Sequence, residues 1–248
     1  MSGHNKWSTI KRKKGALDSK RSKIFSRIIK EIAVAVKESG PDPDNNPKLR
    51  LCIQNAKGAN MPKENMHRAI SKAGDKDAAS FQEVSYEGYA QGGTAIFVEC
   101  LTDNIQRTVS NVRMYFNKFG GTLGTNGSLA FIFSRKGVFV FAAAGINLDD
   151  IEMDLIEAGA EDIEINGDTI TVFTALEDFG AMQKKMEQLK IECESSELQR
   201  IPNDTKDLDV ATAKKVMKLI EMLEDDDDVQ SVFHNIELTD EIMEELEK

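Results

Sequence analysis

From residue 138 to residue 201 the hydrophobic period runs strand, helix, strand, strand, helix, strand, an order that few topologies accept. Residues 138–143 read as a strand, and Leu148, Ile151, Leu155 and Ile156 then share one face of a helix. Two β-rich runs flank Asn166-Gly167, a dipeptide suited to the positive φ angles of a tight hairpin. Phe179, Met182, Met186 and Leu189 mark a second helix, and a strand near 191–201 closes the unit. The expected arrangement is the ferredoxin-like split βαβ, and the expected fold class is α+β.

The segments on either side make sense when joined across this unit. Residues 82–90 and Thr94–Leu101 read as strands, residues 105–119 as an amphipathic helix ended by Gly120, and Leu129–Phe133 as a further strand. Helix 209–224 and strand 229–236 form no fold alone, so they are expected to complete the strand-strand-helix-strand of 82–133. Upstream, the stripe from Ile24 to Val36 predicts a helix beginning near Ser22 and stopped by Gly40. Pro47 and Pro62 sit at first-turn positions of helices 47–58 and 62–73. The reading is three domains. Residues 1–79 form a basic arm and helical bundle, 80–135 with 205–248 form an α+β domain, and 136–204 form the inserted ferredoxin-like domain.

Charge divides the chain differently. The net charge is −10, yet residues 1–80 carry +10 and residues 81–248 carry −20. A basic end on an acidic body points to a phosphate-rich partner, while the acidic remainder limits indiscriminate binding to polyanions. Within residues 1–30, Lys6, Lys11, Arg12, Lys13, Lys14, Lys20, Arg21, Lys23 and Arg27 supply charges and forks for phosphate. Trp7 lies among them with His4 nearby, which offers a stacking contact on single-stranded nucleic acid; a tail with Trp7 packed on the helical domain is the plain alternative. A second basic stretch spans 104–148, which holds Arg107, Arg113, Lys118, Arg135 and Lys136 and no Asp or Glu. Arg107, Arg113 and Lys118 avoid the apolar stripe of the 105–119 helix and are expected to point outward. The glycine-rich run after it (Gly120, Gly121, Gly124, Gly127 and Ser128) reads either as turns or as a loop that offers backbone N–H groups to nucleic acid. Helices 47–58 and 62–73 read as a structural αα-hairpin or as a helix-turn-helix.

Other classes fit poorly. His4, His67 and His234 are far apart and show no metal-binding spacing, and the glycine run lacks the Lys of a P-loop. The acid run Glu224–Asp228 lacks calcium-loop spacing and reads as a solvated turn. Cys52, Cys100 and Cys193 form no CxxC pair, which suggests a reducing compartment. No stretch approaches a membrane span and no secretory signal opens the chain. The expectation is a cytoplasmic, non-enzymatic protein without metal, cofactor or small-molecule substrate.

The motifs SGHNKWSTIKRKKGALDSKRSKIFSRIIKEI from Ser2, YEGYAQGGTAIFVECLTDN from Tyr86, TDNIQRT at 102–108 and GGTLGTNGSLAFIFSRKG at 120–137 together resemble the YebC/PmpR family. The likeness spans essentially the whole chain. Ala90-Gln91 stands where the family usually has Gly-Pro, and the signature's start at Ser2 leaves no transit extension, as in a bacterial protein. The resemblance implies the same three domains and a regulator of gene expression. Members are generally described as DNA-binding transcriptional regulators, and some relatives look like translation factors acting on the ribosome. The expected partner is therefore nucleic acid, either DNA or ribosomal RNA, the second implying the ribosome itself.

Overall fold

The computed structural model describes residues 17–75 and 80–247, with side chains over 21–75 and 80–246. These residues fall into two compact units, one containing 17–23, 80–134 and 201–247, the other 24–75 with 135–200.

In the first unit, β1 (Gln82–Ala90), β2 (Thr94–Thr102), β3 (Thr122–Leu123) and β8 (Val229–His234) form a sheet of order β3-β1-β2-β8. Each neighbouring pair is antiparallel. The turn between β1 and β2 is made by Gln91–Gly93, with Gly92 at φ 72° and Gly93 at φ 73°. Two consecutive positive angles need glycine, so the tight turn survives without a proline before it. Strand β2 is buried at eight of its nine positions, as a central strand covered on both faces should be. Helices α4 (Ile105–Lys118) and α7 (Val210–Asp225) cover one face through Val112, Phe116, Val216, Ile220 and Leu223 against Ile96, Val98 and Val232. Ala95, Phe97 and Phe233 on the other face meet Leu129 and Phe133. Strand β8 arrives only after residue 200, so this domain is interrupted as the periodicity requires. Helix α8 (Asp240–Glu247) is an element that the hydrophobic period does not announce.

The anticipated strand at Leu129–Phe133 is not formed. Residues 126–132 are turns, and β4 (Phe133–Ala142) begins at the last of those five residues. The N–H of Leu129 is taken by a carboxylate, so no strand ladder can claim it. Leu129 and Phe133 enter the core instead of pairing, with Ile132 packed partly against it.

In the second unit, β4, α5 (Leu148–Glu157), β5 (Ala160–Asn166), β6 (Thr169–Ala175), α6 (Phe179–Gln188) and β7 (Cys193–Pro202) follow in the anticipated order. The sheet order β5-β6-β4-β7 is the ferredoxin-like order, with Gly167 at φ 57° in the hairpin turn. Helices α5 and α6 cover the face carrying Phe139, Phe141, Ile170 and Val172.

The same unit holds the helical bundle of α1 (Leu17–Ser39), which belongs to it from Ile24 onward, α2 (Pro47–Gly58) and α3 (Lys63–Ala73). Helix α1 begins five residues before the expected Ser22. The turn-rich connector is held by buried Asn46. Its Oδ1 accepts from the Leu49 N–H at 2.9 Å, capping α2, while its Nδ2 donates to Ala35 O and Gly40 O at the end of α1. Helix α2 docks on β7. The Asn55 amide donates to Ser196 O and accepts from the Ser196 N–H, satisfying backbone groups of the strand. A Cβ at Gly58 would lie 2.2 Å from the Glu194 carbonyl oxygen, so this approach requires glycine.

Candidate nucleic-acid interface

His4, Lys6, Trp7, Lys11, Arg12, Lys13 and Lys14 lie outside the described residues, as does the side chain of Lys20. On α1, Arg21 is exposed and Arg27 half-buried. Lys23 forms an ion pair with Asp225.

Helix α4 sorts its side chains into three stripes, each with a different task. Its first turn is set by Asn104, whose Oδ1 accepts from the Arg107 N–H at 3.0 Å. The apolar stripe continues through Val112 and Phe116 into the core. A second stripe (Arg107, Asn111, Tyr115) meets the acidic run. The Arg107 guanidinium grips Asp228 with Nε and Nη2, at 2.7–3.0 Å, and reaches Asp103 at 2.7 Å. Thr108 Oγ1 donates to Asp228 at 3.0 Å and lies 2.8 Å from Thr102 Oγ1. Asn111 and the Tyr115 hydroxyl donate to Asp226, each at 3.0 Å. Removal from water, then the bond to Asp226, pushes the Tyr115 phenol up to about 12. Hydrogen bonds to Asp228 and Asp103 hold the Arg107 pKa above its ordinary value.

Two expectations change here. Arg107 is exposed, as helical spacing predicts, but its guanidinium is committed to Asp228 and Asp103. Glu224–Asp228 reads in the sequence as a solvated turn, yet Glu224 and Asp228 are buried, and Asp226 and Asp228 fasten α4 to the turn before β8. The TDNIQRT motif owes Thr102, Asp103, Asn104, Arg107 and Thr108 to this single anchor.

The third stripe faces outward. Ser110, Arg113, Met114, Asn117 and Lys118 line one shallow surface groove, with Met114 53% exposed. The Lys118 ammonium rests 5.7 Å over the Phe119 ring and 3.7 Å from the Met222 sulfur, so its stem is supported while its charge faces water. Arg113 and Lys118 are thus displayed on a face bounded by polar and thioether groups.

The glycine loop is organised from within by Glu87, which is 6% exposed. Its carboxylate accepts from the Gly127 N–H at 2.7 Å and the Leu129 N–H at 2.6 Å, with Ser128 Oγ at 3.4 Å. The Glu87 carbonyl also accepts from the Gly124 N–H. Gly120, Gly121 and Ser128 donate their own N–H groups to Asn117, Phe116 and Thr125 carbonyls. The donors that the glycine pattern offers to phosphate are therefore engaged inside the protein. What the loop presents outward is side chains, including Phe131 at 93% exposure.

Sequence reasoning missed Glu87, Asp226, Asp228 and Phe131. No local signal marked Glu87: a carboxylate among the strand formers of YEGY reads equally well as a solvent-facing residue. Among the described residues no three His, Cys, Asp or Glu side chains gather to hold a metal, and no helix is long and apolar enough to cross a membrane.

A helical bundle, an α+β domain and a ferredoxin-like unit inserted in it define a multidomain protein of the α+β class. The chain belongs to the TACO1/YebC family. The family's N-terminal domain matches residues 5–76, and its second and third domains match residues 81–236. A "Probable transcriptional regulatory protein" of Amoebophilus asiaticus is 53% identical over 95% of this chain and 98% of its own. A "Probable transcriptional regulatory protein YebC" of Shigella boydii is 46% identical over 98% of each chain. The crystal structure of a conserved hypothetical protein from Aquifex aeolicus is 40% identical, with a TM-score of 0.82 over 91% of this chain and 93% of that one.

Proposed function

We propose that this chain is a non-enzymatic, cytoplasmic regulator of gene expression that binds nucleic acid, using Arg113 and Lys118 on the outer stripe of α4 together with its basic N-terminal arm. The observation that carries this reading is the sorting of cations on α4. Arg107, though exposed, is ion-paired to Asp228 and Asp103, whereas Arg113 and Lys118 are displayed along a surface groove within an acid-free stretch of a chain whose net charge is −10. A local positive face on an acidic protein selects polyanions by charge while the remainder repels them. The names of the relatives favour promoter DNA as the target. Ribosomal RNA is the second reading, favoured by two cationic sets about a hundred residues apart in the chain, which suits a target large enough to meet both.

The test is binding of Arg113→Glu/Lys118→Glu to promoter duplex and to purified ribosomes over a series of salt concentrations. The double reversal is expected to weaken binding to the true target at least tenfold. It should also flatten the dependence of log K on log salt by about 0.9 for each duplex phosphate no longer neutralised. Unchanged affinity and slope on both targets would remove α4 from the interface. Wild-type protein that co-sediments with ribosomes at roughly 0.15 M salt, where surface charge is well screened, would select RNA over the duplex.

A further inference from the structure

Among the described residues, Phe131 is the most exposed large apolar side chain, and nothing in the fold accounts for it. Its neighbours in the run Leu129–Phe133 behave as apolar residues should. Leu129 and Phe133 are buried, and Ile132 packs partly against Ala95, Phe97 and Phe233. Only the ring of Phe131 stands in water. The backbone beneath it is firmly held. Asn203 Nδ2 donates to the Phe131 carbonyl at 3.1 Å, and the Asn203 N–H donates to the Ile132 carbonyl at 2.8 Å. Two residues earlier the Leu129 N–H is fixed by Glu87.

We propose that Phe131 is a nucleobase-stacking residue that receives an unpaired base of the nucleic-acid target. This rests on the nucleic-acid reading above and adds the part of the ligand that is recognised. Three features select a base over another partner. The ring rises alone, with exposed Thr125, Asn126 and Ala130 nearby in the chain, whereas a contact with a protein groove or a second copy would present a wider apolar patch. The chain on either side of the ring, from 104 to 148, contains no carboxylate, and the nearest in sequence to its Asn203 brace is the single Asp204. The loop is braced beforehand, so little ordering opposes binding. Both faces of a base are covered inside a duplex, so a flat ring of this kind takes bases that are unstacked.

The probe is a single-stranded RNA of about 16 nucleotides, long enough for one such site, carrying 2-aminopurine at its centre, with the same strand annealed into a duplex as the comparison. Wild-type protein should quench the 2-aminopurine on binding. Phe131→Ala should abolish the quench and weaken single-strand binding roughly 5- to 150-fold, the range expected for loss of one stacked base, while duplex binding stays unchanged. Phe131→Trp should restore both, and Phe131→Leu, apolar but without a π-face, should not. Because nothing packs on this ring, all three variants should melt at the wild-type temperature. If Phe131→Ala binds and quenches like wild type while Arg113→Glu/Lys118→Glu loses affinity, stacking is overturned and the basic interface stands. If neither variant alters binding, or wild type binds neither probe, both readings fall. Restoration by Phe131→Leu, or loss of self-association in Phe131→Ala with RNA affinity intact, would assign the ring to a protein contact and overturn the proposal.

Discussion

Glu87 shows how one side chain can decide what a loop is for. A buried carboxylate is tolerated because two backbone donors at 2.6–2.7 Å replace its water, and those donors then have nothing left to offer an external anion. Glu87→Ala strands both N–H groups, and urea denaturation should show a loss of about 3 kcal/mol. Glu87→Gln keeps the shape but sets an amide donor against a backbone donor, so it should lose roughly half as much. Cys52 offers a second residue-level check. Burial raises its thiol to about 12, and burial likewise raises that of Cys193. At about pH 8 iodoacetamide should leave Cys52 unmodified in the native protein and alkylate it rapidly after denaturation, because the thiolate is the reactive form. Fast native labelling of Cys52 would contradict its place in the helical core. Neither role was legible in the sequence. Glu87 sits among strand formers, and composition cannot say whether a carboxylate in a strand faces water or a ring of amides.

The helix α4 marks the boundary between what period reveals and what it hides. Its apolar stripe followed from spacing alone, as did the ends of α2 and β1 and the hairpin at Asn166-Gly167, while the ends of α4 and β2 fell within one residue of the expected Phe119 and Leu101. The division of its polar side did not follow, because Arg107 and Arg113 look alike until the partner from 224–228 is known. That partner lies over a hundred residues away, and pairing across such a distance leaves no local trace. Asp228→Ala should lower the melting temperature, since it removes the buried carboxylate that Arg107 and Thr108 share and leaves Arg107 with the Asp103 carboxylate alone. Arg107→Glu should depress the melting temperature as well, whereas Arg113→Glu should not. The same stripe gives a pH dependence. The Tyr115 phenol is held in its neutral, donating form, so its contribution is complete below its ordinary value of 10.0 and is lost as pH rises toward about 12. Tyr115→Phe should therefore be less stable than wild type below pH 10 and converge on it at higher pH; parallel stability curves would show that the bond to Asp226 contributes nothing.

The whole molecule sets a basic leading segment on an acidic body, and its α+β domain is split by a complete fold. Replacing Lys11, Arg12, Lys13 and Lys14 by Ala should flatten the salt dependence of duplex binding by about 0.9 for each phosphate that the arm had neutralised; an unchanged slope would take the arm out of the reading. Cutting at about residues 136 and 204 should release a folded ferredoxin-like piece, by circular dichroism and a cooperative melt, and its failure to fold would show that docking of α2 on β7 is indispensable. The ferredoxin-like order was readable from order and period, whereas the edge strand Thr122–Leu123 of the other sheet was not, because two residues are too few to show a period. The docking of Asn55 and Gly58 on β7 was not, since an amide and a glycine on a helix surface announce no target. The split has a temporal side. A nascent chain that has emerged as far as residue 200 has β1, β2 and α4 but neither α7 nor β8, so one edge of β2 is an open ladder and its apolar face is wet. A message broken anywhere between the inserted fold and residue 229 would thus yield a product whose middle is folded and whose older, N-terminal strands are not. Such a product would offer proteases and chaperones an adhesive strand that only the last stretch of synthesis can cover.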